Sequence, residues 1–147
     1  MGMFTSFDIN SSGLTAQRYR MDIISENVAN ANTTRTGDGT PYVRKVVTFK
    51  EKDKQTPFSR VLNKSRDKYT GEGVKIGGVY KDTQTEMNMV YDPSHPDADE
   101  NGYVTYPNVN IITEMTNLID ASRAYEANAT AFNASKSMAM KGLSIGQ

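Results

Sequence analysis

Apolar residues recur alternately four and three apart at the two ends of this chain and nowhere between them. Near the start the stripe runs through Met3, Phe7, Asn10, Leu14, Gln17, Met21, Ile24, Val28 and Ala31. Near the end it runs through Ile111, Met115, Leu118, Ser122, Tyr125, Ala129, Phe132, Lys136, Ala139 and Leu143. Such spacing puts a narrow stripe on one side of a helix, the geometry of a coiled-coil seam. The pattern predicts helices over about 4–30 and 109–141. The expected fold is mainly α with a small β-rich insert. The N-terminal helix (1–34) and C-terminal helix (107–147) pair as a coiled-coil-like stalk. The insert of short strands and loops (35–106) is displayed from one end.

Punctuation within the chain refines those limits. Asn32, Thr33, Thr34, Gly37, Gly39 and Pro41 form a turn-rich stretch that stops the first helix. Gly13 weakens that helix, and Ser11-Ser12 offers an alternative start. Tyr42 to Phe49, rich in Val and aromatics, reads as a strand. The charge-dense run from Lys50 to Lys68 reads as a loop. A second strand region holds Val74, Ile76, Val79 and Tyr80, punctuated by Gly71, Gly73, Gly77 and Gly78. Thr83 to Tyr91 alternates weakly as a third, and Tyr103 to Tyr106 is a short fourth. Pro93 and Pro96 bar helix, and Gly102 marks a turn. Pro107-Asn108 lead into the last helix, where Ala121, Ala124, Ala127, Ala129, Ala131, Ala134 and Ala139 permit close helix approach. Gly142 is the expected stop.

Composition narrows the function. Of 147 residues, 37% are hydrophobic, and the mean hydropathy is −0.61, so the supply for a closed core is thin and a partner is expected to cover the remainder. The absence of cysteine excludes disulfides, thiolate zinc sites and cysteine nucleophiles. No apolar run approaches the roughly 20 residues that cross a bilayer. Asp8 and Asn10 stand where the apolar core of a secretory signal would lie. The expectation is a soluble chain without direct membrane insertion, not exported by the general secretory route.

The formal charge is zero but segregated. Arg35 to Lys81 holds twelve Lys/Arg against five Asp/Glu, whereas Asp82 to Glu126 holds nine acids and only Arg123. Opposite patches suit side-by-side or head-to-tail self-association, the alternative being two solvated faces of one domain. Tyr42, Phe49, Phe58 and Tyr69 interleave with the cations, but no nucleic-acid-binding signature accompanies them.

Catalytic chemistry finds no footing. His95, the only histidine, sits between Ser94 and Pro96 in a turn, without a nucleophile or an orienting carboxylate. Asp97, Asp99, Asn101 and Gly102 match the opening of a calcium loop. Position 12 is Asn108, not Glu, and no helix leads in, so the reading is an ordinary polar turn. Gly71-x-Gly73 and Gly77-Gly78 precede no helix and lack the P-loop lysine; they are hairpin glycines. No catalytic residue, metal, cofactor or small-molecule substrate is expected. A small nucleic-acid-binding module remains as a reading from another class.

Ser25-Glu26-Asn27-Val28-Ala29-Asn30-Ala31-Asn32-Thr33-Thr34, with Gly37 and Tyr42 following, resembles the N-terminal signature of bacterial flagellar rod and hook proteins. Tyr91 to Ala98, Gly102-Tyr103-Val104 and Pro107-Asn108-Val109-Asn110 are similar to the proximal-rod branch. So are Glu114-Met115, Arg123 to Asn128 and the ending Leu143-Ser144-Ile145-Gly146. The resemblance covers roughly 3–42 and 88–147. It implies a structural subunit of the proximal rod of the flagellar basal body in the periplasmic space, another axial subunit of the family being the alternative. Implied partners are further copies, other rod proteins, the flagellar type III export apparatus and the membrane-ring base.

The candidate assembly interface has Leu14, Met21, Ile24 and Val28 on one stripe and Met115, Leu118, Tyr125 and Phe132 on the other. A core within one monomer is the alternative. Asn27, Asn30 and Asn32 are expected to bond exposed backbone where the first helix stops. Arg123 and Glu126 are placed to pair at i, i+3 or to reach a neighbour. Asn128 closes that matching stretch.

Overall fold

The computed structural model describes residues 3–52 and 73–145, with side chains over 5–52 and 73–144. The loop expected over 50–68 lies, beyond Lys52, outside the described residues, as do Phe58, Tyr69, Gly71 and the side chain of Met3. The element order is α1 (Met3–Ala29), β1 (Lys45–Glu51), β2 (Val74–Lys81), β3 (Asn88–Tyr91), β4 (Tyr103–Tyr106) and α2 (Ile111–Ile145). The expected two long terminal helices and intervening short antiparallel strands are present.

Gly13 does not interrupt α1, since one glycine costs only about 1 kcal/mol and the helix continues for more than three turns beyond it. The helix ends where its own side chains satisfy its last carbonyls. Asn30 donates its backbone N–H (3.1 Å) and side-chain Nδ2 (2.9 Å) to Glu26 O, and Thr33 returns to Asn30 through N–H and hydroxyl. That is the role expected of Asn30. β1 begins at Lys45 rather than Tyr42 because the preceding amides are used elsewhere: Tyr42 N–H binds Thr33 O and Arg44 N–H binds Asn108 Oδ1. β3 is likewise shorter than Thr83 to Tyr91. The Asp82 carboxylate accepts from the amides of Gln84 and Thr85 and from the Thr85 hydroxyl, folding the chain into a turn there.

β1 and β2 pair antiparallel, held at their ends by Lys52 N–H to Gly73 O (2.9 Å) and Asp82 N–H to Arg44 O (2.8 Å). β3 and β4 form a second antiparallel ribbon with Val90 opposite Val104 and Tyr91 opposite Tyr103. The Tyr91 and Tyr103 rings meet edge-on at 5.2 Å, and Val104 is fully buried. Gly102 takes φ 82° in the turn between the strands, where a side chain would also strike the Tyr91 ring. α2 opens on Asn110, whose Oδ1 accepts from the Thr113 amide as an N-cap. It runs through Gly142 to Ile145, so Gly142 is not the stop expected of it; an isolated glycine without an αL cap only weakens a helix.

The chain divides into two compact units. One comprises Met1–Arg18, Phe49–Gly77 and Ser122–Gln147; the other comprises Tyr19–Thr48 and Gly78–Ala121. Each helix therefore contributes one half to each unit. In the first, the Phe7 ring meets Phe132 edge-on at 5.2 Å, and Asn10 Nδ2 reaches Ser135 Oγ at 3.4 Å. Gly13 lies against the side chain of Asn128, 2.8 Å from where a β-carbon would stand. These contacts make the two helix segments antiparallel. Among the described residues, the buried apolar side chains of the second unit are Ile24, Ala31, Tyr42, Val104 and Ala121.

Candidate functional site

The second unit is organised around polar groups rather than hydrocarbon. Its most buried large side chains include Glu114 and Asn27, each 1% exposed. Glu114 sits in the first turn of α2, where the helix N-terminus favours a carboxylate. Asn27 faces it from the last turns of α1. The Asn27 amide uses its full bonding capacity. Nδ2 donates to Glu114 Oε2 (2.9 Å) and to Lys45 O (2.9 Å), while Oδ1 accepts from the Tyr42 hydroxyl (2.9 Å) and Lys45 N–H (2.9 Å). A helix side chain thereby bonds both peptide groups of a strand residue, as a neighbouring strand does.

The other carboxylate oxygen of Glu114 receives Arg44. Nη2 (2.7 Å) and Nε (3.0 Å) both donate to Oε1, and Nη1 leans towards Asp82 Oδ2 at 3.4 Å. Arg44 N–H is held by Asn108 Oδ1, and Asn108 Nδ2 donates to Asp82 O (2.8 Å) and Thr85 O (3.1 Å). Lys45 pairs with Glu26 and lies 5.8 Å from the Tyr42 ring centroid. The network ties α1, the entry to β1, the turn after β2 and the start of α2 to one another.

Electrostatics follow from this geometry. Burial, reinforced by the charges of Glu26 and Glu114, pushes the Tyr42 hydroxyl up to about 12, so it stays a proton donor to Asn27. Burial opposes the charge on Arg44, but hydrogen bonding and attraction from Glu114, then Asp82, outweigh it and raise its pKa. The Thr85 hydroxyl, followed by the Thr85 and Gln84 amides and Arg44, holds Asp82 below its usual range. Asp82 therefore stabilises the fold above the unfolded carboxylate pKa and loses that effect as pH falls through its folded value.

The stripes expected to form the interface are only partly the covered faces. On α2, Leu118, Tyr125, Phe132 and Ala139 are half-buried, whereas Ile111, Met115, Lys136 and Leu143 are exposed. One position earlier, Glu114, Ala121 and Ser135 are more covered than Met115, Ser122 and Lys136, while Asn128 and Ala129 are both half-buried. On α1, Ile24 is buried and Leu14, Met21 and Val28 are half-buried, while Ala16 and Asn27 are more covered than Gln17 and Val28. The shift has a polar origin. Glu114 and Asn27 bond one another between the helices, which turns their positions inward. Asn27 serves a strand rather than a frayed helix end, and Asn32 is exposed. Arg123 and Glu126 are both exposed, and no ion pair joins them among the described residues. An i, i+3 pair gains only about 0.2–0.5 kcal/mol, too little to hold two long side chains together.

Sequence reasoning passed over Arg44, Asp82, Asn108 and Glu114 as a set. The available signals were the Arg44-Lys45 pair of cations inside the Val-rich run 42–49 and a carboxylate bracketed by Ile111, Ile112 and Met115. Segregated charge meets partly inside this unit. Arg44 bonds Glu114 and Asp82, and Arg35 approaches Asp97 at 3.8 Å. In the loop that resembled a calcium site, Thr34 donates to Asp97 Oδ2, and the amides of Asn101 and Tyr103 both donate to Asp99 Oδ1. His95 Nδ1 accepts from the Asp97 amide within the same turn.

A family profile described as flagella basal body rod protein matches residues 7–35, and one described as flagellar basal body rod FlgEFG protein C-terminal matches 100–145. The flagellar basal-body rod protein FlgC of Bacillus subtilis is 45% identical, covering 100% of both chains. That of Borreliella burgdorferi is 44% identical over 99% of this chain and 98% of its own. An Escherichia coli FlgC is 40% identical over 100% of each.

Proposed function

The chain belongs to the family of bacterial flagellar basal-body rod proteins, and on that footing we propose how it works as a subunit of the proximal rod. It is a structural component of the flagellar basal body, assembling with other rod components. Copies polymerise helically with related subunits and pass motor torque through the rod, supporting motility. The observation that carries this reading is end-to-end likeness to FlgC relatives, spanning the insert as well as both helices.

In the proposed mechanism, segments 1–34 and 107–147 are the stalk and 35–106 the insert. The half-buried stripe of Leu14, Met21 and Val28, with buried Ile24, pairs in coiled-coil fashion with Leu118, Tyr125 and Phe132. Their remaining exposed edges, Met115, Arg123 and Glu126 among them, meet neighbouring subunits. Asn27, Asn30 and Asn128 hold the helices in place, and exposed Asn32 faces outward. Close-packed helices deform little and so resist twisting. The thin core leaves apolar edges that assembly covers, which couples full ordering to incorporation. Export passes through the flagellar type III apparatus to the periplasmic rod above the membrane-ring base.

The test is genetic and structural together. Deleting the gene is expected to abolish swimming, and a tagged copy to restore it while appearing in purified basal bodies. Swimming by the deletion strain, or basal bodies lacking the tagged chain, overturns the reading. Leu118→Asp is expected to leave a soluble subunit that is not incorporated.

A further inference from the structure

In the second unit, α2 carries large apolar side chains on its exposed side, while its covered side holds the buried carboxylate of Glu114. Ile112, Met115 and Ile119, spaced three and four apart, are 78%, 55% and 55% exposed, opposite the buried Ala121. Large apolar side chains gathered on one exposed strip mark a surface that a partner covers. Beside its first turn lies an open groove of about 530 Å³ bounded by Glu86, Asn88, Pro107 and Ile112. Glu86 and Asp120 are exposed and carry no ion pair among the described residues. The strip is thus greasy with an acidic edge, and Arg123 is the single cation between Asp82 and Glu126.

The complementary surface is on the chain itself. The Lys52–Gly73 backbone bond places Lys50 of β1 opposite Lys75 of β2. Both are exposed, and no described carboxylate pairs with either. Like charges facing across a ribbon repel, and an anionic partner relieves that repulsion.

We propose that the Ile112–Met115–Ile119 face of one subunit docks against the Lys50/Lys75 face of a second copy, with Glu86 and Asp120 against the lysines. The inference rests on the rod reading and names one contact within it. Two different faces meet, so the contact is heterologous and propagates instead of closing a pair, as a shaft requires. The charges set orientation and approach while the apolar strip supplies the buried area.

Because the chain has no cysteine, introduced thiols are the only ones. Two differently tagged full-length copies, one Ile112→Cys and one Lys75→Cys, are co-expressed, and basal bodies are purified and oxidised. A disulfide dimer carrying both tags is expected, about tenfold above a control pairing Ile112→Cys with exposed Asp38→Cys. Lys50→Glu with Lys75→Glu is expected to cut incorporation by about tenfold, and Glu86→Lys with Asp120→Lys to restore it. If both chains are present in basal bodies but the mixed dimer does not exceed the control, the docking is wrong and the rod reading stands. Disulfide-independent crosslinking of the Ile112 position to a different protein refutes the choice of partner. Absence of the chain from basal bodies overturns both.

Discussion

In the first unit α1 and α2 touch through a ring edge, a glycine and a long amide–hydroxyl bond. In the second they touch through a buried carboxylate and an amide with all its bonding capacity in use. Ring and glycine contacts depend on shape and area, and a neighbouring register recovers much of both. Glu114 and Asn27 have no such alternative, because a one-residue slip would leave Arg44, Tyr42 and the Lys45 peptide groups without partners. A buried polar pair that fixes register is well attested in coiled coils. Here the second unit fixes alignment and the first supplies contact.

Removing the charged member should break this contrast most severely. Glu114→Ala strands Arg44 and Asn27 together and is expected to lower unfolding free energy by about 3 kcal/mol, measurable by urea denaturation. Arg44 keeps some access to solvent and to Asp82, which limits the loss. Next comes Asn27→Ala, expected to cost about 2 kcal/mol through the orphaned Lys45 and Tyr42 groups. Asn27→Asp sharpens the point by setting a second carboxyl beside Glu114. That variant should be less stable than Asn27→Ala at neutral pH, since like charges then face one another across the helices, as urea denaturation would show.

Tyr42→Phe is expected to cost about 1 kcal/mol. It also alters the alkaline limb. The folded protein retains the Tyr42 proton up to about 12, whereas an unfolded tyrosine releases it near 10, so wild-type stability falls across that interval. Chemical denaturation from pH 9 to 11.5 should show a shallower decline in the phenylalanine variant. The smallest effect belongs to the first unit. In Gly13→Ala the helix-propensity gain of about 1 kcal/mol is offset by displacing Asn128, leaving stability nearly unchanged. In an Asn128→Ala background the same substitution should stabilise, and a large loss there would show that the first unit is also register-locked.

Helices and short strands were legible because period and punctuation reveal them without tertiary knowledge. The exposed and covered sides of α2 were less so. The 3–4 spacing is satisfied both by the expected row through Met115, Ser122 and Ala129 and by the observed row through Glu114, Ala121 and Asn128. Periodicity cannot choose between adjacent rows that share Leu118, Tyr125 and Phe132. The network stayed hidden for a different reason. Its members lie at positions 27, 42, 44, 82, 108 and 114, and only folding brings an amide, a phenol, a guanidinium and a carboxylate within bonding distance.

Asn27 gives the Lys45 peptide its hydrogen-bonding partner at the very first rung of β1. The Lys45 amide proton is consequently shielded by a side chain from another element rather than by a second strand. Its hydrogen-exchange rate becomes a gauge of whether the last turn of α1 is intact, legible one atom at a time in free and polymerised material alike.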